Sequence, residues 1–389
     1  MRSPDPKCYD VAVIGAGPAG CTAAQALAHK GFAVVLIERA SLPRYKTCGG
    51  GVLARAFKLL PNGASRAVER EFRSVALNFF DLGLGFVVTR ATPLVYMTMR
   101  ADLDCLLARE AEAHGAELRE SCRVLNITKQ ADFIEINSDS GTFRAKFVIA
   151  ADGVHSMTAK SAGWSGLPQL APALEWEVHL KEQDFERFKD TARFDFNFIE
   201  PGYAWVFPKR EHLSVGLLST RRRSPDLQTK LQEYLRHLGI VEIQKCERHG
   251  YLIPIAHRRG KLANDRVLLV GDAAGLTDPV TAEGISYAII SGQMAARALA
   301  ECDLNVARVS ERFDTLLRDI VLEELAAATF LANFLYNYPR LRSRIFQRNG
   351  KRLTEFVAGV AMGESSYREA LRSPLSYLKM IWPARQLLH

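Results

Sequence analysis

The sequence predicts an α/β protein with three parts: a body built on a parallel sheet, an inserted antiparallel-sheet domain and a helical C-terminal region. Three observations predict it. A strand, a glycine turn, a helix and a second strand follow one another within residues 9–37. A block of short apolar, strand-like runs then occupies 172–256. Finally, a buried-strand run at Arg266–Val270 returns to the first pattern and leads into a long helical tail. At 389 residues the chain exceeds one ordinary core. The boundaries read as 1–170 with 257–305 for the first body, 171–256 for the inserted sheet and 306–389 for the tail.

The elements follow in order. Tyr9–Ile14 is a short apolar run, residues 21–30 are an alanine-rich helix, and Phe32–Ile37 is the second strand, ending at Glu38. Residues 102–114 place Leu103, Leu106, Leu107 and Ala111 on one helical face. Strand-like segments stand at 117–127, 131–137 and 142–149, then at 174–180, 193–198, 203–207 and 213–218, with a helix at 225–238. A helix at 284–301 precedes the tail, which Pro339, Pro374 and Pro383 interrupt.

Composition narrows the class. Hydrophobic residues make up 48% and charged residues 24%, which excludes a disordered or collagenous chain. Lys and Arg number 51 against 43 Asp and Glu, a net charge of +8 that suits an anionic partner. The seven cysteines are scattered without a C-x-x-C pair, which argues against a disulfide framework or a structural metal site and for a reducing, cytoplasmic setting. No signal-peptide pattern opens the chain, and no uninterrupted apolar stretch is long enough to span a membrane.

Gly15-Ala16-Gly17-Pro18-Ala19-Gly20 sits between strand and helix, the context that gives a G-x-G-x-x-G pattern meaning. Gly15 allows the tight turn and Gly17 allows close approach of a pyrophosphate. Gly20 lets helix and strand pack, and the helix start around Ala19 offers free N–H groups. Glu38, with Arg39 beside it, ends the second strand where a carboxylate meets a ribose and repels a 2′-phosphate. The unit therefore reads as Rossmann-like and takes the AMP half of FAD or NAD.

Two later segments favour FAD: Ala150-Ala151-Asp152-Gly153 after one apolar strand, and Val270-Gly271-Asp272-Ala273 after another. With the glycine fingerprint they resemble the flavoprotein hydroxylase and reductase superfamily. The resemblance implies that Gly271 and Asp272 close over the ribityl chain and that Arg100, in Arg100-Ala101-Asp102-Leu103-Asp104, lies near the cofactor. Asp152 also reads as an ordinary strand-end turn residue, and Arg100 as a surface arginine. No second G-x-G-x-x-G is present, so NADPH, NADH or ferredoxin would serve as a transient electron donor.

Pro43-Arg44-Tyr45-Lys46-Thr47-Cys48-Gly49-Gly50 resembles the Tyr…Cys-Gly-Gly signature of the geranylgeranyl reductase family. Gly202-Tyr203-Ala204-Trp205-Val206-Phe207-Pro208-Lys209 and Asp278-Pro279…Glu283-Gly284-Ile285 resemble two more of its segments. Thr47 departs from the tryptophan or proline that family members carry before the cysteine, so the head group of the substrate stays open. The resemblance implies an FAD-dependent reductase of isolated C=C bonds in a polyprenyl chain on a lipid, quinone or chlorophyll-like molecule. It places Cys48, Gly49 and Gly50 against the flavin, with Gly284 and Ile285 close by. An isoprene alkene has no carbonyl to draw electrons, so reduction needs a proton as well as a hydride, in a dry apolar site.

Cys48 reads as a proton donor or gate, or as a small packed thiol; Tyr45 reads as a phenolic donor or, preferably, a wall. Tyr203, Trp205 and Phe207 alternate along a strand and share a face, either as core or as a prenyl channel. Glu283 reads as a helix cap or a relay, with the cap preferred. The rival functions are an FAD-dependent aromatic monooxygenase and a non-catalytic flavin redox partner; a halogenase lacks its expected W-x-W-x-I-P segment here. In the tail, the uncharged stretch 326–338 precedes Arg340, Arg342, Arg344, Arg348, Lys351 and Arg352. This pattern suits either peripheral contact with an anionic membrane or a core helix followed by a solvated basic turn. No nucleic-acid recognition fold accompanies the charge, and the oligomeric state is not written in any motif.

Overall fold

The computed structural model describes residues 7–221 and 226–372, so Pro374 and Pro383 lie outside the described residues. Cys8–Ile14 is the central strand of an eight-stranded sheet. It pairs in parallel with Val34–Ile37 on one side and Gly141–Ala150 on the other, and Val267–Leu269 extends the sheet in parallel beyond the latter. These strands are apolar on both faces because helices cover both. Pro18–Ala28, Arg100–Ala113 and Ile285–Glu301 supply small or leucine-rich faces to the same core. The expected strand at 117–127 is two elements: Glu117–Arg119 at the parallel edge, and Val124–Lys129 in an antiparallel ribbon at the other side. Ser121 at φ 51° turns the chain between them.

A seven-stranded sheet forms the second body. Its strand order is Lys245–Ala256, Gln169–His179, Leu213–Ser219, Gly202–Pro208, Ala192–Phe196, Ser74–Phe79, Leu84–Thr89. Two differences from the sequence reading stand out. The last two strands come from residues placed above in the first body, and Ser74–Phe79 pairs in parallel with Ala192–Phe196. Lys245–Ala256, twelve residues long, was not recognised at all. Its outer half, Lys-Cys-Glu-Arg-His, is charged, and it sits at the sheet edge where charge discourages further pairing. A small third sheet, Gly51–Leu53, Val95–Thr98 and Val68–Phe72, joins the two bodies. Helices Glu323–Asn337 and Pro339–Met362 cover the cavity-facing side of the seven-stranded sheet through Leu335, Tyr336, Phe346 and Val360.

Asp195 ties the recruited strands to the rest. It is fully buried and accepts from Asn78 Nδ2 at 2.6 Å, Tyr234 Oη at 2.6 Å and Arg193 Nε at 2.7 Å. Three donors from three elements therefore meet one carboxylate. Asp195→Ala strands the Tyr234 hydroxyl and Asn78 amide without a partner. It should lower stability by about 3 kcal/mol, seen as a lower urea midpoint with unchanged slope.

Candidate active site

A cavity of about 700 Å³ lies where the sheets and the C-terminal helices meet. Gly15, Gly17, Ala19, Glu38, Arg39, Gly271 and Asp272 line its polar end, and Tyr203, Trp205 and Phe207 its apolar end. The glycine turn has the geometry that an anion cradle needs. Gly15 has φ +105°, and a Cβ there would stand 2.4 Å from the Ala151 carbonyl oxygen. No side chain caps the helix that starts at Pro18, so its first N–H groups remain free for a ligand. Gly20 does not face the cavity; a Cβ on it would stand 1.9 Å from Gly15 O, so its task is packing.

Around this turn, charged groups are paired. Glu38 accepts from Ala16 N–H at 2.9 Å and from Arg44 Nη2 at 3.2 Å. Arg44 also reaches Asp104 at 2.9 Å, and Asp104 holds Arg100 through two bonds of 2.8 Å. Arg100 is therefore buried rather than a surface group. Burial works against its charge, but Asp104 and Cys48 more than offset this and raise its pKa. Arg39 is exposed at the rim. The carboxylate of Asp152 is taken by Ser156 and by the N–H and hydroxyl of Thr158, so it holds the turn at Gly153. Asp272 accepts from Tyr251 at 3.3 Å beside Gly284, and Ile285 is buried at the cavity wall. Glu283 caps the following helix, accepting from Ser286 N–H at 2.7 Å.

The Cys48 loop reaches the other end. Gly50 N–H donates to Cys48 Sγ at 3.4 Å, and Gly50 has φ +66° with room for no side chain, since a Cβ would stand 2.0 Å from Thr98 O. Lys209, 1% exposed, donates to Gly49 O at 2.7 Å and Thr98 O at 2.9 Å, fixing the loop against the Trp205–Phe207 face. Burial lowers its pKa. Tyr45 is 42% exposed, stacks on His249 at 4.1 Å and donates to Glu177 Oε1 at 3.0 Å. Burial and the carboxylates of Glu175 and Glu177 raise its pKa, which suits a wall residue.

Tyr203 donates to Thr281 O at 2.5 Å and Trp205 to Ser214 Oγ at 3.2 Å, so both polar tips are satisfied while their rings line the cavity. Sequence reasoning missed several residues. Phe194 and Phe196 join this aromatic wall, 5.7 Å each from Tyr203; their alternation within 193–198 was the available signal. Phe330, Phe334 and Phe346 close it from the helical tail. Lys209 and the buried carboxyl of Glu175 were also missed, because a charged residue in a strand or just past its end reads as solvent-facing.

The chain matches the FAD binding domain family over residues 8–315. It is 32% identical over 337 residues to the chloroplastic geranylgeranyl diphosphate reductase of Oryza sativa subsp. japonica, covering 80% of this chain and 71% of that one. It is 31% identical over 339 residues to digeranylgeranylglycerophospholipid reductase 1 of Methanopyrus kandleri, covering 80% and 87%. Among solved structures, a geranylgeranyl bacteriochlorophyll reductase-like protein of Thermoplasma acidophilum superposes with a TM-score of 0.75 at 22% identity, covering 96% of each chain. A flavin-dependent brominase shares the fold at a TM-score of 0.72 and 20% identity, covering 94% of this chain and 98% of that one.

The glycine cradle and the family match define an FAD-dependent oxidoreductase. Within that class, the chain belongs to the geranylgeranyl reductase family.

His212 provides a test of the site's electrostatics. Burial, with the charges of Lys209 and His179 nearby, lowers its pKa from 6.5 to about 4. A neutral imidazole is thus favoured by folding, so stability is full above about pH 6.5 and falls as pH drops towards about 4. The gap corresponds to about 3 kcal/mol at the acid end. His212→Gln should flatten this slope, measured as urea midpoints across that range.

Proposed function

We propose that the protein hydrogenates isolated C=C bonds of a polyprenyl chain carried by a lipid, quinone or chlorophyll-like head group. The observation that carries this reading is the continuity of the cavity. It runs from the glycine cradle past the Cys48 loop into a channel walled by Phe194, Phe196, Tyr203, Trp205 and Phe207. Its far end is lined by Leu331, Phe334 and Phe346. Such a wall matches an extended hydrocarbon and excludes water from a developing positive charge.

FAD, when bound and reduced, supplies the hydride. The residues that would hold it are Gly15, Gly17, Ala19 and Glu38 at the pyrophosphate and ribose, with Asp272, Gly284 and Ile285 along its length. Arg100, locked to Asp104, keeps a fixed positive charge beside Cys48. Lys209 holds the Cys48 loop at the floor of the channel, where Cys48 gates the approach of the alkene. Reducing equivalents come from NADPH, NADH or ferredoxin.

The channel mouth suggests where the substrate comes from. Phe330 lines the cavity yet is 55% exposed, and Tyr338, 60% exposed, and Leu341 lie on the same helical tail. Arg340, Arg344 and Arg348 are exposed beside them, whereas Arg342 is buried, donating to Leu335 O at 2.8 Å and to Glu200 at 3.2 Å. Aromatic side chains with arginines fit a peripheral footprint on anionic lipid, from which a prenyl tail would pass into the channel.

Two measurements test this reading. Enzyme reduced under anaerobic conditions should be reoxidised by a prenyl lipid or quinone, with product gaining two hydrogens per double bond; a monooxygenase would need oxygen and yield a hydroxylated product. Cys48→Ala should keep FAD but slow this reoxidation about 100-fold. Separately, the protein should co-sediment with vesicles containing anionic lipid and less with neutral ones. Arg340→Glu with Arg344→Glu should abolish the difference, and equal binding to both vesicles would remove the membrane footprint.

A further inference from the structure

The floor of the cavity is a sheet face, and its register can be read across four strands. Residues directly opposite in antiparallel strands share a face. Trp205 stands opposite Gly216, Gly216 opposite Glu175, and Glu175 opposite His249. The neighbouring row is Phe207, Ser214, Glu177 and Glu247. Each row thus begins at an aromatic wall of the cavity and ends at the edge strand, where His249 and Glu247 are partly exposed. Gly216 makes the first row continuous. A Cβ there would stand 2.1 Å from Trp205 Cζ2, so the indole lies over the glycine and towards Glu175.

Glu175 is the unusual member. It lines the cavity and is 2% exposed. One oxygen, Oε1, accepts from Ser214 Oγ at 2.5 Å, and the other, Oε2, has no hydrogen-bond partner among the described residues. A buried ionised carboxylate with one oxygen unpaired is costly, whereas a protonated carboxyl is not. The groups that face it are Lys209, Glu177, Tyr45, Cys48, Ser214 and His249. Burial raises its pKa and Glu177 adds to this; Ser214, Lys209 and the Cys48 N–H oppose it without reversing the direction. Lys209 in turn is lowered by burial, so both are shifted towards their neutral forms.

Outside Glu175 the row reaches solvent. Ligand-type atoms of Glu177, Glu247 and His249 lie within 4.8 Å of one another, a span that a single water bridges. Tyr45 roofs them, bonded to Glu177 and stacked on His249.

We propose that Glu175 is the proton store of the reduction, refilled from solvent through Glu177, His249 and Glu247 under the roof of Tyr45. The proposal rests on the prenyl-reductase reading and balances as follows. The C=C π bond breaks and two C–H bonds form. One hydrogen arrives as hydride with both electrons from reduced FAD, and the other arrives as the proton of Glu175. Glu175 is left as a carboxylate, hydrogen-bonded by Ser214 and favoured by the nearby charge of Lys209, and regains a proton from water through the polar row. The electron pair spent on the alkene would be replaced by the nicotinamide or ferredoxin donor.

Infrared spectroscopy and reoxidation kinetics of the FAD-loaded full chain test this together. In the difference spectrum between the two proteins, the wild type should show the carbonyl stretch of a protonated carboxylic acid at neutral pH that Glu175→Gln loses. The variant should bind FAD with an unchanged absorbance spectrum but be reoxidised by a prenyl lipid about 100-fold more slowly. Its rate should also lose the pH dependence of the wild type. Glu175→Asp should recover part of the rate, and it carries the same comparison should the glutamine variant not fold. A wild type without the band, or a glutamine variant with the wild-type rate and pH profile, overturns the proposal. Should the wild type itself not be reoxidised by any prenyl lipid, the reductase reading falls, and the band still decides whether Glu175 holds a proton.

Discussion

The contact between Lys209 and the carbonyls of Gly49 and Thr98 is the constraint on which the site depends. It joins the second body to a loop of the first, and it does so with a charged group withdrawn from water. Two carbonyl acceptors and nearby carboxyls offset that cost only at one position of the loop. A looser loop would leave an ammonium buried without partners, so the loop has little freedom to move. Gly50 fits because the loop is pulled so close: its φ is +66° and a Cβ there would stand 2.0 Å from Thr98 O, so no other residue has space. The aromatic wall and the glycine turn are thereby held at a fixed separation.

The two ends of the cavity solve opposite electrostatic problems. At the cradle, Arg44 and Arg100 share Asp104, and Arg44 also reaches Glu38, so two cations and two carboxylates neutralise one another. What remains available to an anion is the backbone N–H array, which needs no counter-charge of its own. At the channel, hydroxyl and indole tips point into the sheet or to Thr281 O, leaving ring faces towards the space. A ligand polar at one end and apolar along the rest satisfies both.

Much of this was legible in the sequence because it is carried by local rules. The glycine turn, its flanking strand and helix, and the Tyr203-Trp205-Phe207 alternation each follow from spacing within a few residues. The strands Ser74–Phe79 and Leu84–Thr89 were not legible, since their membership in the distant sheet depends on pairing with Ala192–Phe196, more than a hundred residues on. Arg342 was read with its basic neighbours as a surface residue. Its burial follows from the acceptors Leu335 O and Glu200, which only the packed helices bring to it. Glu175 and Glu177 lie within the strand-like segment 174–180, where spacing alone does not show that their side is covered. A helical cover and a loop from the first body, both remote in sequence, turn that side into an interior.

The sheet register explains how one cavity can be apolar along its length and still contain an acid. Side chains alternate along a strand with period two, so a face is set once for every strand that pairs in register. On this face the strand Gln169–His179 presents Ala171, Ala173, Glu175 and Glu177 in succession, small and apolar under the channel and acidic towards its rim. The edge strand repeats the gradient with Ile253, Tyr251, His249 and Glu247. Two antiparallel strands can keep such a gradient aligned only if their register does not slip. The irregularity between them falls at Gln169 and Leu170, beyond the apolar end, leaving the pairing from Leu170 to His179 uninterrupted. Polarity is therefore graded along the strands while chemistry is arranged across them, and Glu175 sits at the crossing of the two.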